Sequence, residues 1–203
     1  MERAPVVRNI LYQPAAYIQR WLRRALNGGK IAFLRFKGCS VDWSAEIHPS
    51  AVFERSGGTI AIGPRTQIDC GVIIRAMGGR IQIGSDCNVN AYSFLSGAGG
   101  LDICNFVMIG SHVSIYASNH KFADTSVPMT KQGLDLKGIG IEQDVWVGTG
   151  VRILDGVRVG MGSVLAAGAV ITNSTEPYSI NAGVPARQLG SRTTASKGLG
   201  CPH

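Results

Sequence analysis

From Ile141 to Ile171 the chain repeats in sixes. An aliphatic residue opens each six: Ile141, Val147, Ile153, Val159 and Leu165. A small or β-branched residue follows four positions later: Val145, Val151, Val157, Ser163 and Ala169. This period predicts a parallel β-helix, in which each six makes a short strand and a corner and three sixes close one triangular coil. The opening aliphatic points inward and stacks on its equivalent in the next coil. One coil cannot bury that side chain alone, so stability comes from stacking.

Upstream the period stretches. Ala61-Ile62-Gly63-Pro64, Gln82-Ile83-Gly84-Ser85 and Asp102-Ile103-Cys104-Asn105 recur about every twenty residues, with Ile60, Ile81 and Leu101 as further inward aliphatics. Gly57-Gly58, Gly78-Gly79 and Gly99-Gly100 mark one corner three times, where glycine supplies a positive φ at low cost. Coils are expected from Val41 to His120. Periodicity then fails from Lys121 to about Lys137 and resumes at Ile139. Long excursions inside compact repeats are functional or disordered. This one leaves the coil directly after a histidine, which favours function.

Ahead of the coils, Pro14 opens an expected helix that runs to about Leu26 and stops at Asn27-Gly28-Gly29. Tyr17, Ile18, Trp21, Leu22, Ala25 and Leu26 form one apolar stripe at helical spacing, flanked by Arg20, Arg23 and Arg24. Such a helix caps the open end of the coil stack, which otherwise exposes strand edges. The alternative is a basic amphipathic helix resting on a membrane surface. Residues 1–12 are expected to be loosely held. The divisions are an N-terminal segment (1–40), coils (41–172) with an excursion at 121–138, a C-terminal segment (173–190) and a disordered tail (191–203).

Composition narrows the class. Charged residues make up 16% of the 203 and glycines number 27, as tight corners require. No apolar run is long enough to span a bilayer, and no secretory signal opens the chain. A cytoplasmic location is therefore expected, with the inner membrane face as a place of contact. The five cysteines have no metal-type pairing and read as buried small residues in a reducing compartment. The net charge of +7 suits an anionic ligand or a phospholipid surface. Nucleic acid is not expected, because the cations gather around the helix rather than along a coil face with interleaved aromatics.

Four motifs in order resemble the hexapeptide-repeat acyltransferases, especially the branch that O-acetylates sugars and antibiotics. They are Ser118-Asn119-His120-Lys121-Phe122, Asp144-Val145-Trp146-Val147-Gly148, the run Leu165 to Val170, and Gly183-Val184-Pro185-Ala186-Arg187. The resemblance covers roughly Ile62 to Arg187. It implies a left-handed β-helix, a homotrimer with active sites between subunits, and acetyl-CoA held in those clefts without a metal. It also implies a carbohydrate acceptor, such as lipopolysaccharide, capsule or exopolysaccharide.

An alcohol needs a base to attack a thioester at neutral pH, and histidine is suited to the task. His120 matches the family's catalytic histidine, and direct transfer in a ternary complex is the implied mechanism. Negative charge on the carbonyl oxygen needs a preorganised donor. Thr149, or a backbone N–H beside it, matches that position, while an ordinary corner threonine is the plainer reading. Asn90 matches an asparagine that faces the histidine across the interface, with Asn88 as its competitor and a turn-forming asparagine as the alternative. Trp146 is expected to face outward and wall the cleft, with Asn119 and Lys121 beside the histidine. Gly148, Ala166 and Ala167 match small positions that let the pantetheine arm approach, although tight coil stacking also explains them. Thr172 and Arg187 match positions near the nucleotide end, where a guanidinium suits phosphate. Many relatives carry lysine where this chain has Asn173. Asp124 is a candidate to orient His120, and Lys121, Lys131 and Lys137 suit an anionic acceptor.

Three other functions compete. An N-acetyltransferase of an amino sugar, free or nucleotide-linked, would use the same base and donor. A γ-type carbonic anhydrase needs three converging histidines, and the coils offer His48, His112 and His120. A non-catalytic scaffold is the third.

Overall fold

The computed structural model describes residues 14–192, with side chains from Ala25 onward. The apolar stripe over Tyr17 to Leu22, the arginines Arg20, Arg23 and Arg24, residues 1–12 and the tail beyond Arg192 lie outside those descriptions. Three parallel sheets form the sides of a prism. The first side carries six strands, Ser40–Val41 through Arg158–Val159; the third also carries six, Val52–Glu54 through Val170–Ile171. The second begins at Glu46–Ile47 and reaches eight strands, because an antiparallel pair, Ser179–Gly183 and Ala186–Ser191, extends it. Successive coils pair in register, and the coil length can be read from partners on the first side. Ile60 pairs with Ile81, Ile81 with Leu101, Ile103 with Ile141 and Ile141 with Val159, which gives spacings of 21, 20, 38 and 18. The last is a pure coil of three sixes; the 38-residue coil holds the excursion.

Both predicted inward columns are buried. Ile141, Val147, Ile153, Val159, Leu165 and Ile171 are at most 1% exposed, as are Val145, Val151, Val157, Ser163 and Ala169. Where the inward residue is polar it bonds the neighbouring coil. Thr66 Oγ1 donates to the Gly84 carbonyl at 2.7 Å, and Ser93 Oγ to the Gly110 carbonyl at 3.0 Å. Among the described residues no buried side-chain polar atom lacks a partner, which keeps desolvation costs low. The cysteines depart partly from expectation. Cys39 and Cys87 are buried and Cys70 half-buried, but Cys104 stands exposed at a corner.

The paired glycines serve two needs. Gly57, Gly78 and Gly100 take the positive φ, at +83°, +83° and +96°. Their partners are fixed by close approach: a Cβ on Gly58 would lie 2.8 Å from that of Ala76, and one on Gly79 would strike the carbonyls of Gly97 and Ala98. Other corners hold the left-handed conformation with larger residues, including Tyr92, Phe106 and His112. Tyr92 and His112 stack there, with ring centroids 5.4 Å apart.

The helix differs from expectation. It runs through Asn27-Gly28-Gly29 as helix α1, Pro14–Phe36. Its stop is Gly38 (φ +83°), where Gly38 N–H donates to the Arg35 carbonyl and Cys39 N–H to that of Leu34, the paired bonds of a Schellman end. Tertiary packing overrides the two glycines, because the last turns carry the cap. Ile31 and Leu34 are 0% and 3% exposed against the first coil. Asn27 accepts from Ile47 N–H at 2.7 Å and donates to the Ala45 carbonyl at 2.9 Å. Lys30 Nζ donates to the carbonyls of Pro49 and Ala51, and its partial burial lowers its pKa from the ordinary lysine value. Leu26, Phe33 and Phe36 stay exposed. No helix among the described residues is long and apolar enough to cross a membrane.

Two glycines should therefore respond oppositely to alanine. Gly29, helical with open space at its Cβ, should gain about 1 kcal/mol as Gly29→Ala. Gly79→Ala should lose about 1–3 kcal/mol by overpacking. Denaturant unfolding of both variants measures the pair.

Candidate functional site

In-register coils turn outward side chains into straight columns about 4.8 Å per step. One column follows the edge between the second and third sides. Register places His48, Asp69, Asn90, Gly110, Gly148, Ala166 and Ala182 in line, with Arg187 paired to Ala182 at its end. From Asn90 to Arg187 the line passes only glycine and alanine over five steps, roughly 24 Å. It is a bare track with an amide at one end and a guanidinium at the other. Gly148 is buried, and its Cβ would lie 2.7 Å from the Ala167 nitrogen, so coil stacking alone requires glycine there. Ala167 and Thr149 occupy the adjacent column, one residue around the corner, and both are exposed. Trp146 lies on the second side, paired with Met108 and Val164, and is 52% exposed.

His120 is on a different edge. After strand Ser114–Tyr116 the chain turns the corner toward the first side and leaves the coil. Asn119 and His120 then pair antiparallel with Asp135 and Leu134, and Lys121 N–H donates to the Gly133 carbonyl. The His120 side chain is exposed at the root of this hairpin. Thr172 shares that edge, since Val170–Ile171 pairs with Arg152–Ile153 and thence with Ser114–Ile115. A side of roughly six residues at about 3.3 Å each separates the two edges by roughly 20 Å. One chain therefore groups Asn90, Trp146, Gly148, Thr149, Ala166, Ala167 and Arg187 near one edge. It groups Asn119, His120, Lys121 and Thr172 on the other.

The excursion is internally braced rather than loose. Gln132 Nε2 donates to the carbonyls of Asp124 and Val127 at 2.7 Å each, and a short 3-10 turn spans Met129–Lys131. The Asp124 carboxylate accepts from the Ser126 hydroxyl at 2.6 Å and from its N–H at 2.9 Å. Those bonds, hydroxyl first, hold its pKa below the ordinary aspartate value. Asp124, a candidate partner of His120, thus closes an Asx turn with Ser126. Lys121, Phe122, Lys131 and Gln132 border an open recess of about 630 Å3 under the hairpin.

A larger recess, about 1100 Å3, lies on the second side of the first three coils. Trp43, Glu46, His48, Gln67, Asp69 and Asn88 line it, Asn90 stands at one end, and Asn27 and Gly28 of α1 stand at the other. Of these, the sequence singled out Asn90, Asn88 and His48, but not as one surface with Trp43, Glu46, Gln67 and Asp69. The trace available was the coil period itself, because 46, 67 and 88, like 48, 69 and 90, are spaced by 21. His48 and His112 lie on the edge between the second and third sides, apart from His120. Among the described residues no three His, Cys, Asp or Glu side chains are grouped to hold a metal ion.

The bacterial transferase hexapeptide (six repeats) family model matches residues 138–173. A Mycobacterium tuberculosis protein named "Probable acetyltransferase Rv3034c" is 28% identical over 149 residues, 72% of this chain but only 48% of that protein. The chain thus spans about half the length of that relative. "Putative lipopolysaccharide biosynthesis O-acetyl transferase WbbJ" of Escherichia coli K12 is 30% identical over 141 residues, 66% of this chain and 72% of that one. Among solved structures, AntD, an N-acyltransferase from Bacillus cereus in complex with dTDP and 3-hydroxybutyryl-CoA, superposes with a TM-score of 0.70 at 24% identity. That match covers 80% of this chain and 88% of AntD and is a likeness of fold.

The Asx turn carries a pH signature. A lowered folded pKa means the Asp124 contribution is complete above the ordinary value of 3.8 and fades only as pH falls through the lower folded value. In an NMR titration the Ser126 amide should shift with a midpoint below 3.8. A midpoint at the ordinary value means that the turn is not formed.

Proposed function

The chain belongs to the hexapeptide-repeat acyltransferase family, and from that premise we propose that it acetylates a hydroxyl of a sugar or surface polysaccharide with acetyl-CoA as donor. The observation that carries the reading is the bare track ending at Arg187. An extended pantetheine arm needs backbone it can approach closely; coil stacking already requires the glycines, and Ala166 and Ala182 add nothing beyond a Cβ to obstruct that approach. At the far end the Arg187 guanidinium suits a phosphate by bidentate contact. At the near end the thioester comes between the level of Asn90 and that of Trp146 and Thr149.

The base comes from another copy of the chain. His120 stands on an edge that its own track does not share, so each site takes His120 from one subunit and the track from its neighbour. A contact between two different edges is heterologous, and it closes into a ring when the rotation allows; three copies make the proposed homotrimer. His120 accepts the proton of the acceptor hydroxyl as its oxygen attacks the thioester carbon. Thr149, through its hydroxyl or N–H, donates to the oxyanion. The C–S bond then breaks, and the imidazolium returns the proton to the departing sulfur. Asn119 and Lys121 flank the acceptor, and Thr172 meets the donor from the His120 side of the cleft. The exposed Phe33 and Phe36 beside Arg35 and Lys37 support a peripheral contact of α1 with an anionic membrane face.

A second reading is N-acylation of an amino sugar. The superposition on an N-acyltransferase favours it. An amine unprotonated at working pH asks less of His120 than an alcohol does, so the two readings differ in how much that residue matters.

His120→Ala should cut kcat at least about 100-fold on a hydroxyl acceptor. Arg187→Ala should instead raise the acetyl-CoA KM about tenfold at similar kcat. Steady-state assays against paired hydroxyl and amino sugars separate the two functions. Full activity of His120→Ala on every hydroxyl acceptor overturns the assignment of the base. Sedimentation equilibrium of the wild type tests the trimer.

A further inference from the structure

The second side changes character at the Asn88–Asn90 step. Beyond it the face-centre column is apolar, with Met108, Trp146 and Val164, and the edge column is bare. Before it both columns carry hydrogen-bonding groups. Glu46, Gln67 and Asn88 stack along the face, with Asn88 Nδ2 donating to Gln67 Oε1 at 2.9 Å. His48 and Asp69 continue the edge column from Asn90.

The local bonds aim these groups outward. Ser50 N–H donates to His48 Nδ1, and the Ser50 hydroxyl lies 2.8 Å from the same nitrogen. With Nδ1 as acceptor, the proton of the neutral tautomer sits on Nε2, and His48 lines the recess. Asp69 accepts from Cys70 N–H with one oxygen, which leaves its second oxygen as an acceptor. Glu46 and Asp69 join no ion pair among the described residues. At the closed end Trp43 is 60% exposed, with the Arg35 guanidinium 5.2 Å from the ring centroid.

We infer that this recess binds an uncharged oligosaccharide segment of the acceptor, running from Asn90 toward α1, with Trp43 as its stacking platform. The inference rests on the acyl-transfer reading for its direction: the donor takes the bare half of the edge, the acceptor the polar half, and the two meet at Asn90. Amides and carboxylates side by side suit vicinal hydroxyls, which donate and accept together. An exposed indole offers an apolar face to the C–H face of a pyranose. Glu46 and Asp69 set two carboxylates along the recess against the one guanidinium of Arg35 at Trp43, which disfavours an anionic glycan, so selection is for uncharged chains. The polar half spans two steps, roughly 10 Å, which is longer than one ring and ends against Asn27 and Gly28. The segment bound is therefore short.

The test is retention on an array of short uncharged oligosaccharides, their constituent monosaccharides and uronic-acid-bearing counterparts, with CoA present. Wild-type protein should hold uncharged oligosaccharides and leave the other two classes. Trp43→Ala and Gln67→Ala should each weaken retention about tenfold. Gly28→Phe, built where a Cβ meets nothing within 4 Å, should fill the recess from the helix and abolish retention with a thermal midpoint no lower than the wild type's. Retention unchanged in these variants overturns the inference, as does a wild type that holds no uncharged oligosaccharide. Turnover of acetyl-CoA by the wild type is scored separately. Transfer without retention removes the glycan groove and leaves acyl transfer standing; retention without transfer does the reverse.

Discussion

Every strand of the coils is two to four residues long and satisfies its backbone by pairing with strands of the neighbouring coils. The spacing of about 4.8 Å between paired strands is set by the hydrogen bond. With register fixed, an inward side chain must lie on a similar one above and below. Ile47, Ile68, Val89, Ile109, Val147 and Leu165 form one such stack, all at most 3% exposed. The same register governs the outside. Outward residues cannot scatter, so binding groups contributed by different coils fall into rows. A linear donor and a linear acceptor are the ligands that such a surface takes most readily.

The stack has two ends, and each has an unpaired row of backbone groups to manage. At the start α1 lies over the first coil, and Asn27 uses both its amide atoms on that coil. At the finish the antiparallel pair Ser179–Gly183 and Ala186–Ser191 caps the second side alone. Arg192 ties the chain back by donating to the Gly162 carbonyl at 2.8 Å and pairing with Asp144 at 3.0 Å. Both caps border the proposed site. The first walls the acceptor recess, and the second supplies Arg187.

Much of this was legible because a repeat encodes contacts as spacing. Ile141 to Ile171 gave both buried columns directly, and the excursion declared itself by breaking them. The helix end was not legible, because Gly28-Gly29 is a local stop that the burial of Ile31 and Leu34 overrules. The bonds of Asp124 were not legible either, because its partner is Ser126, two residues away, in a turn that no coil period marks. The track was only half visible. Gly148 and Ala166 lie in a regular stretch of sixes, but Ala182 follows outside the sixes on a strand paired parallel to Val164–Leu165, and Arg187 joins the row only through an antiparallel pairing that no periodicity announces. The recess on the first coils hid in residues that are ordinary one at a time.

Height along the prism ties the two edges together. Asn90 belongs to the coil that starts at Arg80, His120 to the next and Thr149 with Trp146 to the one after. His120 therefore sits at the level of Gly110, between Asn90 below and Thr149 above. Rotation about an axis parallel to the prism changes no heights. In the proposed trimer, with its axis parallel to the prism, His120 of one copy stands level with the stretch of its neighbour's edge where polar surface gives way to bare backbone. The excursion begins at that level and at no other, so a catalytic reading accounts for where the repeat is broken. A purely structural insertion could have been made in any coil.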